Sequence, residues 1–248
     1  MRRFGLIGYP LGHSFSGRYF AQKFKSLGLA DCRYDLFPIT DISSLHGLLR
    51  DTPGLEGLNV TIPYKEGVLP FLDRPDPVVA RIGACNCLRI EPEGIAGFNT
   101  DVVGFAASLK PHLKSHHRAA LVLGTGGASK AVCHVLESLG IEYRLVGRRP
   151  SPPHTMGYGE LAEDDGLERY TLIVNTTPLG MHPHTGEAPP IPYDALTSRH
   201  LLYDLVYNPS VTRFMELGIA KGATAVNGER MLVLQAEESW RIWNEGRG

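Results

Sequence analysis

The stretch Ala119–Ser129, AALVLGTGGAS, decides the fold, because five apolar residues run without a break into a glycine-rich turn. A short, continuous apolar run is typical of a buried parallel strand. Ser129 opens a helical pattern that Gly140 ends. The first amides of such a helix are uncovered and can bind an anion. The pattern predicts a strand–turn–helix unit that binds the pyrophosphate of a dinucleotide, and a glycine turn without a ligand is the alternative.

The positions within this turn predict separate roles. Gly124 suits the tight bend, and Gly126 lets the pyrophosphate approach the backbone. Ser129 occupies the third position of the G-x-G-x-x-G pattern and is small enough for close packing of the helix on the strand. The predicted cofactor contacts in this turn are Gly124, Gly126, Gly127 and Ala128.

Two arginines, Arg148 and Arg149, follow the next predicted strand, at the position where an NAD site usually has a carboxylate for the ribose 2′-hydroxyl. A guanidinium has forked donors for a phosphate and stacks on a flat base. The sequence therefore predicts NADP as the cofactor rather than NAD. A pair of solvated loop arginines is the alternative.

Strands and helices alternate downstream of the glycine turn, which is typical of a Rossmann-type doubly wound parallel sheet. The predicted elements are a helix over Ser129–Leu139, strands over Ile141–Val146, Leu172–Val174 and Leu201–Leu205, and an amphipathic helix over Glu229–Glu245.

The first hundred residues predict a second α/β layer, since short apolar runs alternate there with helical patterns. The last helix could pack back on this layer, so the predicted domains are 1–101 plus 229–248 and, between them, 102–228. Predicted strands are Phe4–Ile7, Arg33–Phe37, Leu55–Val60 and Asn86–Ile90; helices are predicted over Tyr19–Leu27, near Ile42–Leu49 after Asp41, near Pro77–Ile82, and from an Asp101 cap to Leu109.

Composition limits the class of function. With 25 Lys and Arg against 26 Asp and Glu, the net charge is −1, so a global basic field for nucleic acid or an anionic membrane is absent. A hydrophobic share of 43% and a charged share of 21% are ordinary for a globular protein. No apolar run approaches the roughly 18 residues of a membrane helix, and no signal-peptide core follows Met1. These observations predict a cytoplasmic protein.

Four cysteines also bear on the class of site. Cys85 and Cys87 could be two ligands of a metal site, but a second pair at metal-ligand spacing is lacking. We therefore predict buried thiols in a reducing compartment and no metal.

Polar side chains gather where the predicted strands of the first domain end. The carboxyl ends of strands in an open α/β sheet face the ligand crevice. We expect the hydroxyl and amide groups there to hold a small, polyhydroxylated molecule. Gly8–Ser16 follows the first predicted strand and Gly57–Lys65 follows a later one, while Gly83–Asn86 and Gly97–Asp101 add two amides and a carboxylate.

These segments, together with others further along the chain, match the motifs of the shikimate dehydrogenase family in the same order. The resemblance covers nearly the whole chain. Several ordered matches are far more specific than one motif. The matches are G-x-P-x-x-H-S-x-S at 8–16, N-V-T-x-P-x-K at 59–65, N-T-D-x-x-G-F at 99–105, the glycine turn at 124–129, NTTPLGM at 175–181, DLVYNP at 204–209, and Asn227–Gly228 with Met231–Leu232 and Gln235–Ala236.

The resemblance implies reversible, NADPH-dependent reduction of 3-dehydroshikimate to shikimate on the route to chorismate, in a cleft between two domains. Lys65 and Asp101 would be the catalytic pair. Ser14 and Ser16 would bind the substrate carboxylate, with Tyr207 nearby. The rest of the substrate would contact Asn59, Thr61, Lys65, Asn86, Asp101 and Gln235, and the cofactor would also contact Asn175, Thr176, Met181, Leu205 and Gly228. The implied partners are a small molecule and no nucleic acid or membrane, with a monomer or homodimer as the assembly.

The chemistry of the reaction fits this assignment. Hydride that arrives at a ketone carbon leaves an alkoxide that must gain a proton, and the Lys65 ammonium could stabilise that charge and donate. Asp101 could orient the ammonium. Three departures from the family pattern are Gly17 in place of proline, Cys87 in place of threonine, and Gly147–Arg149 in place of Asn-Arg-Thr.

Each residue also has a plainer alternative. Lys65 could be solvated, Asp101 and the two serines could be helix caps, and Asn59 and Asn86 could be turn residues. Tyr207 and Gln235 could serve packing or the surface. For the whole chain, the alternatives are an NAD-using relative that also acts on quinate, and a non-catalytic dinucleotide sensor.

Overall fold

The computed structural model describes residues 1–12, 14–149, 155–163 and 166–246. The chain divides into two compact units, and the first is discontinuous: Met1–Thr100 with Ala236–Gly248, and Asp101–Gln235. Residues 247 and 248, which close the predicted first domain, lie outside the described residues. Both borders between the units fall near or within helices, Thr100–Leu109 and Glu229–Asn244.

The first unit contains a mixed sheet, six-stranded within the described residues, in the order β2-β1-β3-β5-β6-β4. β1 runs parallel to β2 and β3, whereas β5 is antiparallel to both β3 and β6. The strands are β1 (Arg2–Gly8), β2 (Cys32–Pro38), β3 (Leu55–Val60), β4 (Arg74–Pro75), β5 (Cys87–Glu91) and β6 (Gly94–Phe98), and the helices are α1 (Phe15–Ser26), α2 (Leu45–Asp51) and α3 (Pro77–Ile82).

Local chemistry explains the bounds of α3. The Asp76 side chain accepts a hydrogen bond from the Val79 amide at 2.6 Å, and Pro77 occupies the first turn, where a missing N–H costs nothing. Gly83 ends the helix with a φ of 65°, a conformation that a residue with a Cβ rarely adopts. The predicted bounds of this helix, and those of the strand Leu55–Val60, are confirmed.

An aromatic cluster fastens the end of the chain to the first unit. Trp243 is 1% exposed, stacks on Phe4 with ring centroids 4.9 Å apart, and donates its indole N–H to the Leu88 carbonyl at 2.9 Å. A Cβ on Gly57 would lie 2.3 Å from the indole nitrogen, so β3 can pass the ring only as glycine. The C-terminal residues are therefore part of this core.

The second unit is a parallel sheet in the order β12-β11-β10-β7-β8-β9, which extends in two directions from the neighbours β7 and β10. This is the doubly wound arrangement, and the predicted α/β fold class is confirmed. The strands are β7 (Ala119–Leu123), β8 (Glu142–Gly147), β9 (Thr155–Gly157), β10 (Leu172–Asn175), β11 (Leu201–Asp204) and β12 (Thr224–Val226). The helices are α4 (Thr100–Leu109), which begins in the first unit, α5 (Gly127–Ser138), α6 (Tyr158–Glu163), α7 (Gly166–Arg169), α8 (Arg213–Ile219) and α9 (Glu229–Asn244), which ends in the first unit.

Two local predictions are corrected. Asp101 is not the cap of α4, because the helix already begins at Thr100 and Asp101 lies in its first turn. There the positive end of the helix dipole stabilises the negative charge of the carboxylate. The helix predicted near Ile42–Leu49 is split into a 3₁₀ turn, Ile42–Ser44, and α2. Asp41 caps that entry as predicted, with its carboxylate accepting from the Ser43 amide at 2.8 Å.

Within the described ranges, no helix is long and apolar enough to cross a membrane. The same residues contain no group of three or more His, Cys, Asp or Glu side chains placed to hold a metal ion. Cys85, Cys87 and Cys133 are buried thiols, and Cys32 is half-buried.

Candidate active site

The first polar segment lies between β1 and α1. Ser14 precedes α1 in an extended conformation, and its hydroxyl accepts no hydrogen bond from the helix backbone. Because the hydroxyl does not cap the helix, it can bind a ligand beside the uncovered amides of the first turn. Ser16 is buried and interacts with the hydroxyl of Tyr34. His13, from the same segment, lies outside the described residues.

The turn that follows β3 carries Thr61 and Lys65. The Tyr64 amide donates to the Thr61 carbonyl at 2.9 Å, and the buried Tyr64 ring reaches the Ile39 carbonyl through its hydroxyl at 2.7 Å. This anchor fixes the backbone of the next residue, Lys65, whose side chain is half-buried. Lys65 is therefore not a fully solvated surface lysine.

The segment Ala84–Asn86 is hydrogen-bonded both to the Lys65 turn and to the residues that precede Asp101. The Cys85 amide donates to the Lys65 carbonyl at 2.8 Å. The Asn99 side chain donates to the Ala84 carbonyl at 2.9 Å, which ties the residues just before Asp101 to the same segment. These bonds bring the Lys65 turn and the start of α4 to one place in the first unit.

Asn86 is held rigidly by Thr100. Its Oδ1 accepts from the Thr100 amide at 2.6 Å, and its Nδ2 donates to Thr100 Oγ1 at 3.1 Å. The side chain is 3% exposed. Among the described residues, no protein acceptor takes its second amide N–H, so this group can bind a ligand.

The side-chain amide of Asn59 has more hydrogen-bond partners within the protein than that of Asn86. Its Oδ1 accepts from the Tyr34 hydroxyl at 2.9 Å, and its Nδ2 donates to Ser239 Oγ at 2.8 Å and to the Asn86 carbonyl at 3.4 Å. Both amide N–H groups therefore point at protein acceptors. Contact between Asn59 and a substrate stays a prediction.

The second unit contains the glycine turn between β7 and α5. Gly124 has a φ of 111°, and a Cβ there would lie 2.5 Å from Thr176 Oγ1, so both conformation and space require glycine. Gly126 has an ordinary φ of −88° and no atom within 4 Å of an added Cβ. The protein's own packing does not require glycine at position 126, whereas a pyrophosphate approaching the backbone does. The turn thus fits a dinucleotide.

Arg148 and Arg149 follow β8 and are exposed. The adjacent strands β7 and β8 place Leu123 beside Val146, and the Gly124 amide donates to the Val146 carbonyl at 2.8 Å. The backbone of both arginines therefore begins close in space to the glycine turn, two or three residues after the paired Val146. Desolvation raises the pKa of the Tyr158 phenol, and the positive charge of Arg148 opposes that shift.

A buried carboxylate organises the ends of β10 and β11. Asp204 accepts hydrogen bonds from the Asn175 side chain at 3.0 Å, the Val206 amide at 3.0 Å and the Thr212 hydroxyl at 2.6 Å. Burial raises the pKa of Asp204 to about 6, and these three hydrogen bonds oppose the rise. Asn175 and Thr176, both predicted cofactor contacts, also bond to protein groups here.

The segment after β11 meets two other predicted contacts. The Gly228 amide donates to the Val206 carbonyl at 3.1 Å, and a Cβ on Gly228 would lie 2.2 Å from the Leu205 carbonyl oxygen. On the other side, the His182 amide donates to the Asn208 carbonyl at 3.1 Å, next to the exposed Met181. Met181, Leu205, Tyr207 and Gly228 thus belong to neighbouring segments.

Asp101 and Gln235 are both buried where α4 and α9 pack closely in the second unit. A Cβ on Gly104, one turn after Asp101, would lie 2.7 Å from the Met231 carbonyl and 3.1 Å from the Gln235 amide. The Gln235 side chain donates to the Leu232 carbonyl at 2.9 Å.

Sequence reasoning missed four residues of these networks: Tyr34, Thr100, Ser239 and Thr212. Thr100 lies inside the quoted N-T-D-x-x-G-F pattern, so its motif position was a signal. Tyr34 and Ser239 carry no local signal, because each acts on a residue that is distant in the chain. Thr212 has the position of a helix cap before α8, which does not indicate its second bond, to Asp204.

Comparisons with known proteins all identify shikimate dehydrogenases as similar to this chain. A family model described as the shikimate dehydrogenase substrate binding domain matches residues 6–88. The shikimate dehydrogenase (NADP(+)) of Carboxydothermus hydrogenoformans is 35% identical over 96% of this chain and 90% of the relative. The protein of that name from Haloarcula marismortui is 37% identical over 97% of this chain and 92% of the relative.

A solved structure is similar over the same extent. Shikimate 5-dehydrogenase from Thermus thermophilus, in complex with NADP(H) and shikimate, has a TM-score of 0.86 and 32% identity, and the match covers 98% of this chain and 93% of that one.

Proposed function

Because the chain belongs to the shikimate dehydrogenase family, we propose that it catalyses the reversible, NADPH-dependent reduction of 3-dehydroshikimate to shikimate. One observation supports this most directly. The Lys65 turn and the Asn99 and Thr100 side chains hydrogen-bond to the same segment, Ala84–Asn86. Asp101 follows Thr100, so the backbone supports a lysine and a carboxylate in one acid–base pair.

The substrate carboxylate is assigned to the start of α1. Ser14 offers a hydroxyl that does not cap the helix, and the first-turn amides add a partial positive charge. Ser16 and Tyr207 complete this subsite in our proposal. Two donors suit the substrate's hydroxyls: the second N–H of Asn86, and the Thr61 hydroxyl, which bonds to no described residue. Asn59, Asp101 and Gln235 complete the proposed set.

Lys65 is the proposed proton donor. The nicotinamide supplies a hydride to the ketone carbon when it is bound. The negative charge that develops on the ketone oxygen is stabilised by the Lys65 ammonium, which then donates a proton to that oxygen and regains one from water. Asp101 accepts a hydrogen bond from the ammonium and orients it. In the reverse direction, neutral Lys65 accepts the hydroxyl proton of shikimate.

NADP is assigned to the second unit. The pyrophosphate fits beside Gly126 at the start of α5, with Gly127 and Ala128 as further amide donors, and the exposed Arg148 and Arg149 suit the 2′-phosphate. Met181, Leu205 and Gly228 are assigned to the nicotinamide, and Asn175 and Thr176 support the turn that holds it.

The two alternatives are less favoured. Both curated relatives are named as NADP(+) enzymes, which speaks against an NAD-using quinate relative. A non-catalytic sensor would have no need for a half-buried lysine whose turn bonds to the same segment as the residues that precede Asp101.

The deciding experiment measures the near-ultraviolet absorbance of NADPH when purified protein is mixed with shikimate and NADP⁺. We expect turnover with this pair, and much weaker turnover when quinate or NAD⁺ replaces either reactant. Absence of a signal at high concentration of a protein that circular dichroism reports as folded would overturn the proposal.

The proposed partners are this substrate and cofactor. We place the enzyme in the cytoplasm, in keeping with thiols that are all unpaired in the described part of the chain. It works there as a monomer or a homodimer.

A further inference from the structure

A chain of hydrogen bonds in the first unit links residues from four distant parts of the sequence. Tyr34 Oη donates to Asn59 Oδ1 at 2.9 Å, and Asn59 Nδ2 donates to Ser239 Oγ at 2.8 Å. Ser239 Oγ lies 3.3 Å from Thr100 Oγ1. Thr100 in turn holds the Asn86 side chain by the two bonds described above. The network therefore runs from β2, through the end of β3 and the C-terminal half of α9, to the start of α4 and the residue before β5.

Ser239 is the centre of this network. It is fully buried on α9, one turn after Gln235, with Asn59 on one side and Thr100 on the other. Ser239 also interacts with the thiol of Cys87, whose pKa is raised by burial. A buried hydroxyl that joins an amide and a second hydroxyl fixes the orientation of both, because neither can rotate without losing a partner.

Tyr34 fixes the other end of Asn59. Its hydroxyl gives the Asn59 carbonyl oxygen a donor, which settles which end of the amide faces Ser239. Desolvation raises the pKa of the Tyr34 phenol well above its ordinary value, while its interaction with Ser16 lowers it. Tyr34 thus contacts Asn59 and a predicted carboxylate-binding serine at once.

We propose that Ser239 and Tyr34 are positioning residues for substrate: they hold Asn59 and, through Thr100, keep one N–H of Asn86 directed to the ligand. The inference rests on the proposed function. Asn59 then acts through its neighbours, since both of its N–H groups already bond to protein acceptors. The network lies wholly in the first unit, whereas the assigned cofactor contacts lie in the second. Its loss must therefore weaken shikimate binding and spare NADP⁺ binding.

The test compares Ser239→Ala and Tyr34→Phe with two matched controls in the second unit, Ser108→Ala and Tyr203→Phe. Ser108 is 3% exposed and its hydroxyl lies 2.6 Å from that of Tyr203, so the controls also remove a buried hydroxyl from a hydrogen-bonded pair. For each variant, KM for shikimate, KM for NADP⁺, kcat and Tm are measured.

We expect the two network variants to raise KM for shikimate about tenfold, the value of one net hydrogen bond, with KM for NADP⁺ unchanged. The controls should lower Tm without this split. The double variant should cost less than the sum of the two single effects, because both act on Asn59. A lowered Tm with an unchanged KM for shikimate would overturn the proposal, and if Ser239→Ala does not fold, Tyr34→Phe decides alone. An inactive wild-type protein would instead defeat the proposed function.

Discussion

Lys65 is half-buried, and its backbone carbonyl accepts from the Cys85 amide at 2.8 Å, so the stem of the side chain starts from a fixed point. A proton donor needs such a start, because a misplacement of about 1 Å can cost ~100-fold in rate.

Replacing this residue, Lys65→Ala, should lower kcat by about 10² to 10⁴, the range for a lost general acid, with a modest change in KM for shikimate. Steady-state kinetics in the shikimate-oxidising direction measure both. Lys25→Ala, which removes an exposed lysine from the last turn of α1, is the control and should leave kcat unchanged. Near-normal turnover in Lys65→Ala would remove Lys65 from the chemistry.

Arg148 tests the cofactor at the same scale. A guanidinium that binds the 2′-phosphate contributes to NADP⁺ affinity and nothing to NAD⁺, which has a hydroxyl there. Arg148→Ala should raise KM for NADP⁺ about tenfold or more and leave KM for NAD⁺ unchanged. The control is Arg213→Ala, which removes an exposed arginine of α8 that pairs with Glu216 at 3.1 Å. An equal rise in KM for NADP⁺ and for NAD⁺ would show that Arg148 does not bind the 2′-phosphate.

Asp204 predicts a dependence of stability on pH. Burial raises the pKa of this carboxyl to about 6 from its ordinary 3.8. The folded protein therefore holds a proton that the unfolded chain releases, and the stability from this group is complete below pH 3.8 and lost as the pH rises through about 6. The loss amounts to about 3 kcal/mol.

Asp204→Asn keeps an acceptor for the Val206 amide and cannot ionise. Its free energy of unfolding, relative to wild type, should rise between pH ~4 and ~7, as urea titrations at several pH values will show. Asp194→Asn is the control of opposite sign, since the hydrogen bond from Lys221 lowers the pKa of Asp194. Parallel pH profiles for wild type and Asp204→Asn would contradict the assignment.

At the scale of elements, the turn between β7 and α5 separates folding from binding. Gly124 is required by its φ of 111° and by Thr176, whereas Gly126 has open space where a Cβ would lie. Gly126→Ala should change the free energy of unfolding by no more than about 0.5 kcal/mol and raise KM for NADP⁺ at least about tenfold. Gly124→Ala should lower stability by roughly 1–3 kcal/mol through backbone strain. Urea denaturation and cofactor kinetics on both variants measure these two effects. A Gly126→Ala variant with unchanged stability and a normal KM for NADP⁺ would contradict the assignment of Gly126 to the pyrophosphate.

The same scale shows which elements a sequence can predict. β7 is a continuous apolar run and α3 has both a cap and a terminal glycine, so each is specified by its own residues. β6, GIAGF, was missed because two glycines weaken any strand signal; its backbone is extended because it pairs antiparallel with β5. The prediction of Asp101 as a cap is wrong because an acidic residue is favoured both at the cap and in the first turn of a helix, so residue type does not distinguish the two positions.

For the whole molecule, the candidate site was predictable to the extent that its residues lie in short motifs. Ser14 and Lys65 lie in the segments that follow β1 and β3, where the fold directs ligand contacts. Asn86 immediately precedes β5, which is antiparallel to β3 and therefore starts beside the end of β3. The network around Asn59 was not predictable in this way, since Ser239 is 180 positions away from it. The position of Ser239 depends on the return of α9 to the first unit, which no local pattern reports.

That return makes the first unit dependent on the last residues of the chain. Trp243 is 1% exposed, stacks on Phe4 and bonds to Leu88, while Ile242 and Trp240 pack in the same cluster. Loss of one such aromatic costs about 3–5 kcal/mol, against a total stability of about 5–15 kcal/mol. A chain that stops at Gln235 should therefore have an unfolded first unit and a folded second unit.

Hydrogen exchange would find the amides of β1 and β3 unprotected and those of β7 and β10 protected in this shorter chain. A chain that stops at Asn244 keeps Trp243 and is the control. Protected β1 amides in the shorter chain would mean that residues 1–100 build their core without α9.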